Sequence, residues 1–341
     1  MQRRGYEYPV RGRVGARSGP RRDNDPVSGT SGGAGGGVGR SRGSGVGSSL
    51  AQDAPTVLAA WFEVHARDLP WRAADRTPWG VLVSEVMLQQ TPVSRVVPAW
   101  EAWMRRWPEP ADLAGETPGE AVRQWDRLGY PRRALRLHAC AIALVDRHAG
   151  RVPESEADLL ALPGVGEYTA AAVRAFAFGR RSVVLDTNVR RVLARFAGGQ
   201  EQPAPSLTVA ERSRAEEQVP EGDAEAALWS GAVMELGALV CTASSPRCSV
   251  CPLVGRCAWV RAGRPAHDGP VRRVQRFAGT DRQVRGLIMA VLRESEGAVG
   301  REVIDVVWAD AIQRERALDG LVADGLVELV GDMEFGLPSG A

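Results

Sequence analysis

Apolar positions in this chain recur mainly at helical spacing. Val57, Leu58, Trp61 and Phe62 fall on one face of a segment that begins near Pro55, and Leu69-Pro70-Trp71-Arg72 ends it. Further helices are expected over about 79–90, 94–107, 118–127 and 131–148, with Leu128-Gly129-Tyr130 as a short break before the last. Ser155-Glu156-Ala157-Asp158 has the pattern that caps a helix start, and that helix should end at Leu162. Pro163-Gly164-Val165-Gly166 then makes a tight turn, because glycine reaches backbone angles other residues avoid. The next helix carries Val173, Phe176 and Ala177 on one face and stops at Gly179. After the short apolar run Val183-Val184-Leu185, Asp186-Thr187-Asn188 opens a helix whose inner face is Val189, Val192, Leu193 and Phe196.

Strand patterns are scarce until the end of the chain, so the main domain reads as all-α. Val284, Leu287, Ile288, Val291 and Leu292 mark an amphipathic helix, and Leu318, Leu321, Val322 and Gly325 the inner face of another. Val327–Val330, Gly331-Asp332 and Met333–Leu337 read as a hairpin with a two-residue turn. Helix, helix, hairpin suggests a small winged-helix-like module over 279–338, after an Arg/Pro-containing linker at 261–278. Arg314 and Arg316 on its second helix are expected to contact phosphates.

At 341 residues the chain has room for about two domains. All 43 basic residues are arginine, and the formal net charge is only +2. Nine arginines against three acids lie in residues 1–50, so the remainder is slightly acidic. Bulk charge therefore does not advertise nucleic-acid binding by the folded part; local amides and arginines would have to supply it. Residues 1–54, rich in Gly, Ser and Arg, hold too few apolar residues to pack and read as disordered. They are either a stretch upstream of the true start codon or a basic tail that holds a polyanion. No apolar segment follows the early arginines, so the tail is not a secretory signal. No run is long and apolar enough to span a membrane. The protein is expected in the cytoplasm, as a monomer.

Three features carry candidate chemistry. A Gly-flanked turn that opens a helix points N–H groups outward at the positive end of the helix dipole, which suits a phosphate; the alternative is an ordinary helical corner. Glu85 has Val81, Leu82, Leu88 and Gln89 as helical neighbours, and on so apolar a face desolvation raises a carboxyl pKa. A glutamate protonated near neutral pH is what a general acid needs, unless it snorkels to solvent. Asp186 is either a helix cap or, if Thr187 or Asn188 caps instead, a free carboxylate. Arg132, Arg133 and Arg136 form either a solvated helix face or a phosphate contact, and the four histidines show no ligand spacing.

Four of the five cysteines fall within 17 positions: Cys241, Cys248, Cys251 and Cys257. Four thiolates in one compact loop can close a tetrahedral zinc site or hold a [4Fe–4S] cluster, and ligand type alone does not separate these. Cys140, on an apolar helix stretch, reads as buried and inert.

Leu162–Thr169, the Asp186 segment and the four-cysteine loop together resemble the endonuclease III superfamily of DNA glycosylases, over about residues 55–260. Ser84-Glu85-Val86-Met87-Leu88-Gln89-Gln90-Thr91 is similar to the adenine DNA glycosylases of the MutY type. The resemblance implies a mainly α, helix-hairpin-helix fold of two helical subdomains with a [4Fe–4S] loop at 241–257. It implies action on double-stranded DNA, near the nucleoid, at adenine mispaired with 8-oxoguanine or guanine. Glu85 then matches the acid that protonates the base. Asp186 matches the carboxylate that meets the oxocarbenium centre, with Asn188 beside it. Tyr168 stands where bifunctional members carry a Schiff-base lysine, and so implies a monofunctional enzyme. Leu88, Gln89, Gln90 and Tyr130 match residues that fill the helix gap or contact the lesion. Trp71, Arg72 and Glu235 match the adenine pocket, and the amides at Gly164 and Gly166 match the backbone grip. Arg247 and Arg256, in the cysteine loop, are expected to contact phosphates. The family usually carries a larger MutT-like domain where this chain has its short C-terminal module. The rivals are a thymine or uracil mismatch glycosylase of the same superfamily and a non-catalytic helix-hairpin-helix regulator.

Overall fold

Thr77 starts the central helix of the protein: its hydroxyl accepts the Gly80 N–H at 3.0 Å, and Pro78 fills the first position, where its missing N–H costs nothing. That helix, Pro78–Leu88, is buried at every residue from Trp79 to Met87. A helix apolar nearly all round belongs at the centre of a domain. The computed structural model describes residues 54–267, Gly269 and 277–340. The expectation for the tail thus lies outside the described residues except at Ala54, and that for the linker lies partly outside them.

In chain order, α1 is Ala54–His65, α2 Pro78–Leu88, α3 Val93–Arg106, α4 Pro110–Ala114, α5 Pro118–Trp125 and α6 Arg132–His148. Then come α7 Glu156–Leu160, α8 Glu167–Phe178, α9 Thr187–Phe196, α10 Val209–Gln218, α11 Asp223–Leu239 and α12 Ala258–Arg261. The C-terminal elements are α13 Asp281–Glu294, β1 Val299–Gly300, α14 Arg301–Asp305, α15 Ala311–Ala323, β2 Glu328–Val330 and β3 Glu334–Gly336. Among the described residues no helix is long and apolar enough to cross a membrane.

Two helical subdomains result. One surrounds α2: Trp103, Trp107 and Trp125 meet edge to face at 4.6 and 5.7 Å, each pair adding about 0.5–1.5 kcal/mol beyond burial. The other packs α1, α9 and α11 around Leu58, Val192, Trp229, Val233 and Leu236, and reaches Leu253 of the cysteine loop. Helix α8 touches the first core through Val173, and through Ala172 and Ala175 a third, small cluster with Val184.

Element boundaries differ from the sequence reading at three helix ends. The α1 helix stops at His65, ahead of Leu69-Pro70-Trp71-Arg72, whose last three residues form a 3-10 turn. Helix α2 stops at Leu88, two residues early, and Gln90 takes a left-handed φ of 56°. The α5 helix stops at Trp125, because Asp126 also turns left-handed, at φ 45°.

The C-terminal strands form one antiparallel sheet in the order β1-β3-β2. Val330 pairs with Glu334, so the turn holds three residues, Gly331 to Met333, with Gly331 at φ 70°. The two-residue turn is corrected by that register. Val284, Ile288, Leu318 and Leu321 join the same buried cluster as Trp125 and Leu137. Gly119 N–H donates to Pro338 O at 2.7 Å, where a Cβ would clash, and Arg123 donates to Ser295 O at 2.7 Å. Arg314 donates to Asp305 and to Trp308 O, and Arg316 grips Asp281 with two bonds of 2.8 Å. These two arginines hold the C-terminal elements together.

Candidate active site

Gly164 makes the hairpin turn at φ 79°, and a Cβ there would lie 2.8 Å from Arg136 Cβ. Glycine is required twice over. Gly166 is different: it caps α8 in extended backbone with open space where a Cβ would sit. What its lack of a side chain leaves open is access to the first-turn N–H groups of α8, which have no partner within the helix.

That same first turn delivers Tyr168 to Glu85. The Tyr168 hydroxyl donates to Glu85 Oε2 at 2.7 Å. Glu85 is 4% exposed, so it does not snorkel. Burial pushes its carboxyl up to about 7; the Tyr168 bond and the Arg72 charge oppose that push and Asp186 adds to it. Burial likewise raises the Tyr168 phenol, assisted by the charges of Glu85 and Asp186.

Asp186 caps α9 itself: Oδ1 accepts the Val189 N–H at 2.6 Å and Oδ2 accepts Asn188 Nδ2 at 2.8 Å. Capping by Thr187 or Asn188 is thereby replaced. Burial raises the Asp186 carboxyl above its ordinary range, against the bonds from Val189 and Asn188. Two accepted bonds leave lone pairs for a developing cation, so capping and catalysis coexist.

Two arginines that sequence reading missed organise this region. Arg191 donates to Asn188 Oδ1 at 2.8 Å, to Gly237 O at 2.7 Å and to Cys241 O at 2.8 Å, tying the Asp186 loop to the cysteine loop. A Cβ on Gly237 would stand 2.7 Å from Asn188 Cβ, so α11 must carry glycine there. Arg67 donates to Glu235 Oε1 from its backbone N–H at 2.9 Å and Nε at 2.7 Å, and to Oε2 from Nη2 at 2.9 Å. Arg72 adds a bond to Oε2 at 3.0 Å. Burial alone would raise Glu235, but these bonds and charges outweigh it and hold the carboxyl down at about 2. With four bonds accepted, Glu235 fixes Arg67 and Arg72. Trp71 is buried beside them, edge-on to Trp100 at 5.8 Å. Leu88 and Gln89 are half-buried, Gln90 is exposed, and Tyr130 is 47% exposed at φ 48°.

Cys241, Cys248, Cys251 and Cys257 line one small cavity walled by Val240, Val254 and Trp259. Among the described residues no three His, Cys, Asp or Glu side chains converge on a single-ion site. Four cysteine sulfurs around one cavity could hold a multi-iron cluster. Arg195 Nη1 lies 3.4 Å from Cys241 Sγ and offers a donor to a thiolate. Burial pushes the Cys251 thiol up to about 11 and raises Cys257, so these sulfurs ionise only against a metal's charge. Arg247 bonds Leu239 O and so locks the loop onto α11. Cys140 is buried, with its thiol pushed up to about 12 by burial. The purified protein is expected to be brown, with iron and acid-labile sulfide; a colourless, active preparation holding one zinc would overturn this.

A helix-hairpin-helix turn, a buried acid in electrostatic reach of a helix-capping carboxylate, and a four-cysteine loop define a base-excision DNA glycosylase. Residues 83–217 match the HhH-GPD superfamily of base excision DNA repair proteins, and residues 241–257 match the iron-sulfur binding domain of endonuclease III. The chain is 51% identical to an adenine DNA glycosylase of Mycolicibacterium smegmatis, over 83% of this chain and 95% of that one. It is 39% identical to the human adenine DNA glycosylase, over 59% of this chain and 38% of the human one. A thermostable thymine-DNA glycosylase structure matches 63% of this chain and 98% of its own, with TM-score 0.56 and 26% identity. The protein belongs to the adenine DNA glycosylase family, and its cofactor is an iron–sulfur cluster.

Proposed function

We propose that this protein, acting as a monomer on nucleoid DNA, is a monofunctional glycosylase. Its substrate is adenine paired with 8-oxoguanine, or with guanine. The observation that carries the reading is Glu85: buried, held near pH 7, and in electrostatic reach of Asp186. Cleaving an N-glycosidic bond leaves a cationic sugar and a poor leaving base. The base must first leave the helix stack to reach a buried acid. Glu85 gives its proton to the adenine as the bond from C1′ breaks and the electron pair departs with the base. Asp186 faces the positive C1′, and Asn188 holds its carboxylate in place. Water then adds to C1′ and returns a proton to Glu85.

Arg67, Trp71 and Arg72 form the adenine pocket in this reading, with Glu235 fixing the two arginines. The amides at Gly164 and Gly166 grip the backbone. Leu88, Gln89, Gln90 and Tyr130 fill the gap and meet the opposing base. The cluster is held by Cys241, Cys248, Cys251 and Cys257 and shapes the loop that Arg191 joins to Asn188. The elements over 279–338 brace the 55–260 catalytic domain.

The sequence contains no lysine, so no side-chain amine can form a Schiff base. Duplexes carrying A opposite 8-oxoguanine, A opposite G, and T opposite G are incubated with protein lacking residues 1–54. Strand breaks should appear only after alkali, fastest for A opposite 8-oxoguanine, with no borohydride-trapped adduct. Efficient trapping would contradict the monofunctional reading, and preferential release of thymine would move the protein to the rival substrate class.

A further inference from the structure

Arg133 was expected on a solvated face or against a phosphate. It is instead 6% exposed. Its Nη1 donates to Val86 O at 2.8 Å, Met87 O at 3.0 Å and Gln89 O at 2.6 Å, the frayed carbonyls at the end of α2. Its Nη2 donates to Gly129 O at 2.9 Å and to Thr91 Oγ1 at 3.0 Å. The guanidinium also lies over the Trp125 ring at 5.1 Å and the Tyr130 ring at 5.7 Å. Two loops, 89–91 and 128–130, thus share one cation. Thr91 reinforces the joint, donating to Gln89 O or Leu128 O at 3.3 Å.

Both loops carry a non-glycine residue in left-handed backbone: Gln90 at φ 56° and Tyr130 at φ 48°. Such residues persist only where surrounding contacts over-determine them. Among the surrounding contacts, Arg133 takes the carbonyl preceding each strained residue, sharing Gly129 O with the Trp125 indole N–H, and Arg282 also lies over the Tyr130 ring. Arg133 is bonded to neither Glu85 nor Asp186; its contacts fall on the end of α2 and on the 89–91 and 128–130 loops, which the proposed function sets against the opposite strand.

We propose that Arg133 is a positioning residue for reading the strand opposite the excised base. It clamps Gln90 and Tyr130 into one rigid wedge. That the wedge meets the opposite strand, and 8-oxoguanine in it, rests on the proposed function; the joint between the two loops does not. A lysine in its place keeps the charge but offers three donors from one point and cannot span both loops.

The test uses the full chain with Arg133→Lys and, as a milder change that keeps the buried cation, Thr91→Val. Two readouts are taken. One is the fluorescence of 2-aminopurine placed opposite a non-cleavable abasic analogue, which reports unstacking by the wedge. The other is the ratio of single-turnover rates on A opposite 8-oxoguanine and A opposite G. Arg133→Lys should bind DNA, lose most of the fluorescence rise, and cut the rate ratio by about tenfold. Thr91→Val should move both the same way by less, and in neither variant should the alkaline midpoint of the pH–rate profile shift. A full fluorescence rise in folded Arg133→Lys overturns the proposal. So does an equal rate loss on both duplexes. If Arg133→Lys does not fold, Thr91→Val decides by the same two criteria. If wild-type protein cuts both duplexes equally, the 8-oxoguanine reading fails, and the fluorescence alone decides on Arg133.

Discussion

Glu85→Gln should lower the single-turnover rate of adenine removal by about 10²–10⁴-fold, the usual worth of a general acid, while DNA binding persists. The glutamine keeps the shape of the side chain and still accepts the Tyr168 hydroxyl, but has no proton to give. The same change should stabilise the protein at neutral pH. Folding holds Glu85 near 7, above its unfolded value, so the native state binds this proton more tightly than the unfolded chain. Stability is therefore undiminished below the unfolded pKa and falls as pH rises towards 7. At pH 8 the deficit is about 3 kcal/mol, taking about 1.4 kcal/mol per pKa unit. Removing the titration removes the deficit, so chemical denaturation at pH 8 should favour the variant, with the gap closing below about pH 4.5. Loss of activity with gain of stability separates a catalytic acid from a structural one. Asp186→Asn should also nearly abolish excision; asparagine caps a helix about as well as aspartate, and because burial raises the Asp186 carboxyl too, any change in stability at neutral pH should have the same sign as for Glu85→Gln. Near wild-type rates in either variant would remove that residue from the mechanism.

Glu235→Ala should have the opposite thermodynamic sign. Glu235 is fully buried and is held down at about 2. A depressed carboxyl contributes stability that is present above its unfolded pKa and lost as pH falls towards the folded one. Breaking a buried ion pair by removing one partner typically costs about 3–5 kcal/mol. The lower end applies here, because the Arg67 and Arg72 side chains are 34% and 27% exposed and can recover some water. Unfolding free energy at pH 7 should thus drop by about 3 kcal/mol, with the gap shrinking near pH 3. Adenine excision should suffer through Arg72, which Glu235 anchors beside Glu85. A variant as stable as wild type would show that the two arginines do not depend on this carboxylate.

The helices, the hairpin and the cysteine loop were legible because each has a local signature: apolar spacing, a Gly-flanked turn, or thiol spacing. The burial of Glu85 was legible for the same reason, since its helical neighbours are apolar. What could not be read was long-range. Arg67 meets Glu235 across 168 positions and Arg133 meets Val86 across 47. Nothing near an arginine in sequence says which carbonyls it will find, so Arg133 resembled its solvated neighbour Arg132. The end of α2 was misplaced for a related reason. The Arg133 guanidinium takes the last carbonyls, and the chain turns away at Gln90. Asp186 shows the converse: its capping role was local and readable, but only the fold brings the capping carboxylate into electrostatic reach of Glu85.

The central claim is that a glutamate protonated near neutral pH delivers the proton to the leaving base. A single-turnover pH–rate profile on A opposite 8-oxoguanine, at constant ionic strength, tests it most directly. The rate should fall on the alkaline side with a midpoint near pH 7, where Glu85 loses its proton. A rate that stays level or rises through pH 8.5 would contradict the assignment of Glu85 as the acid.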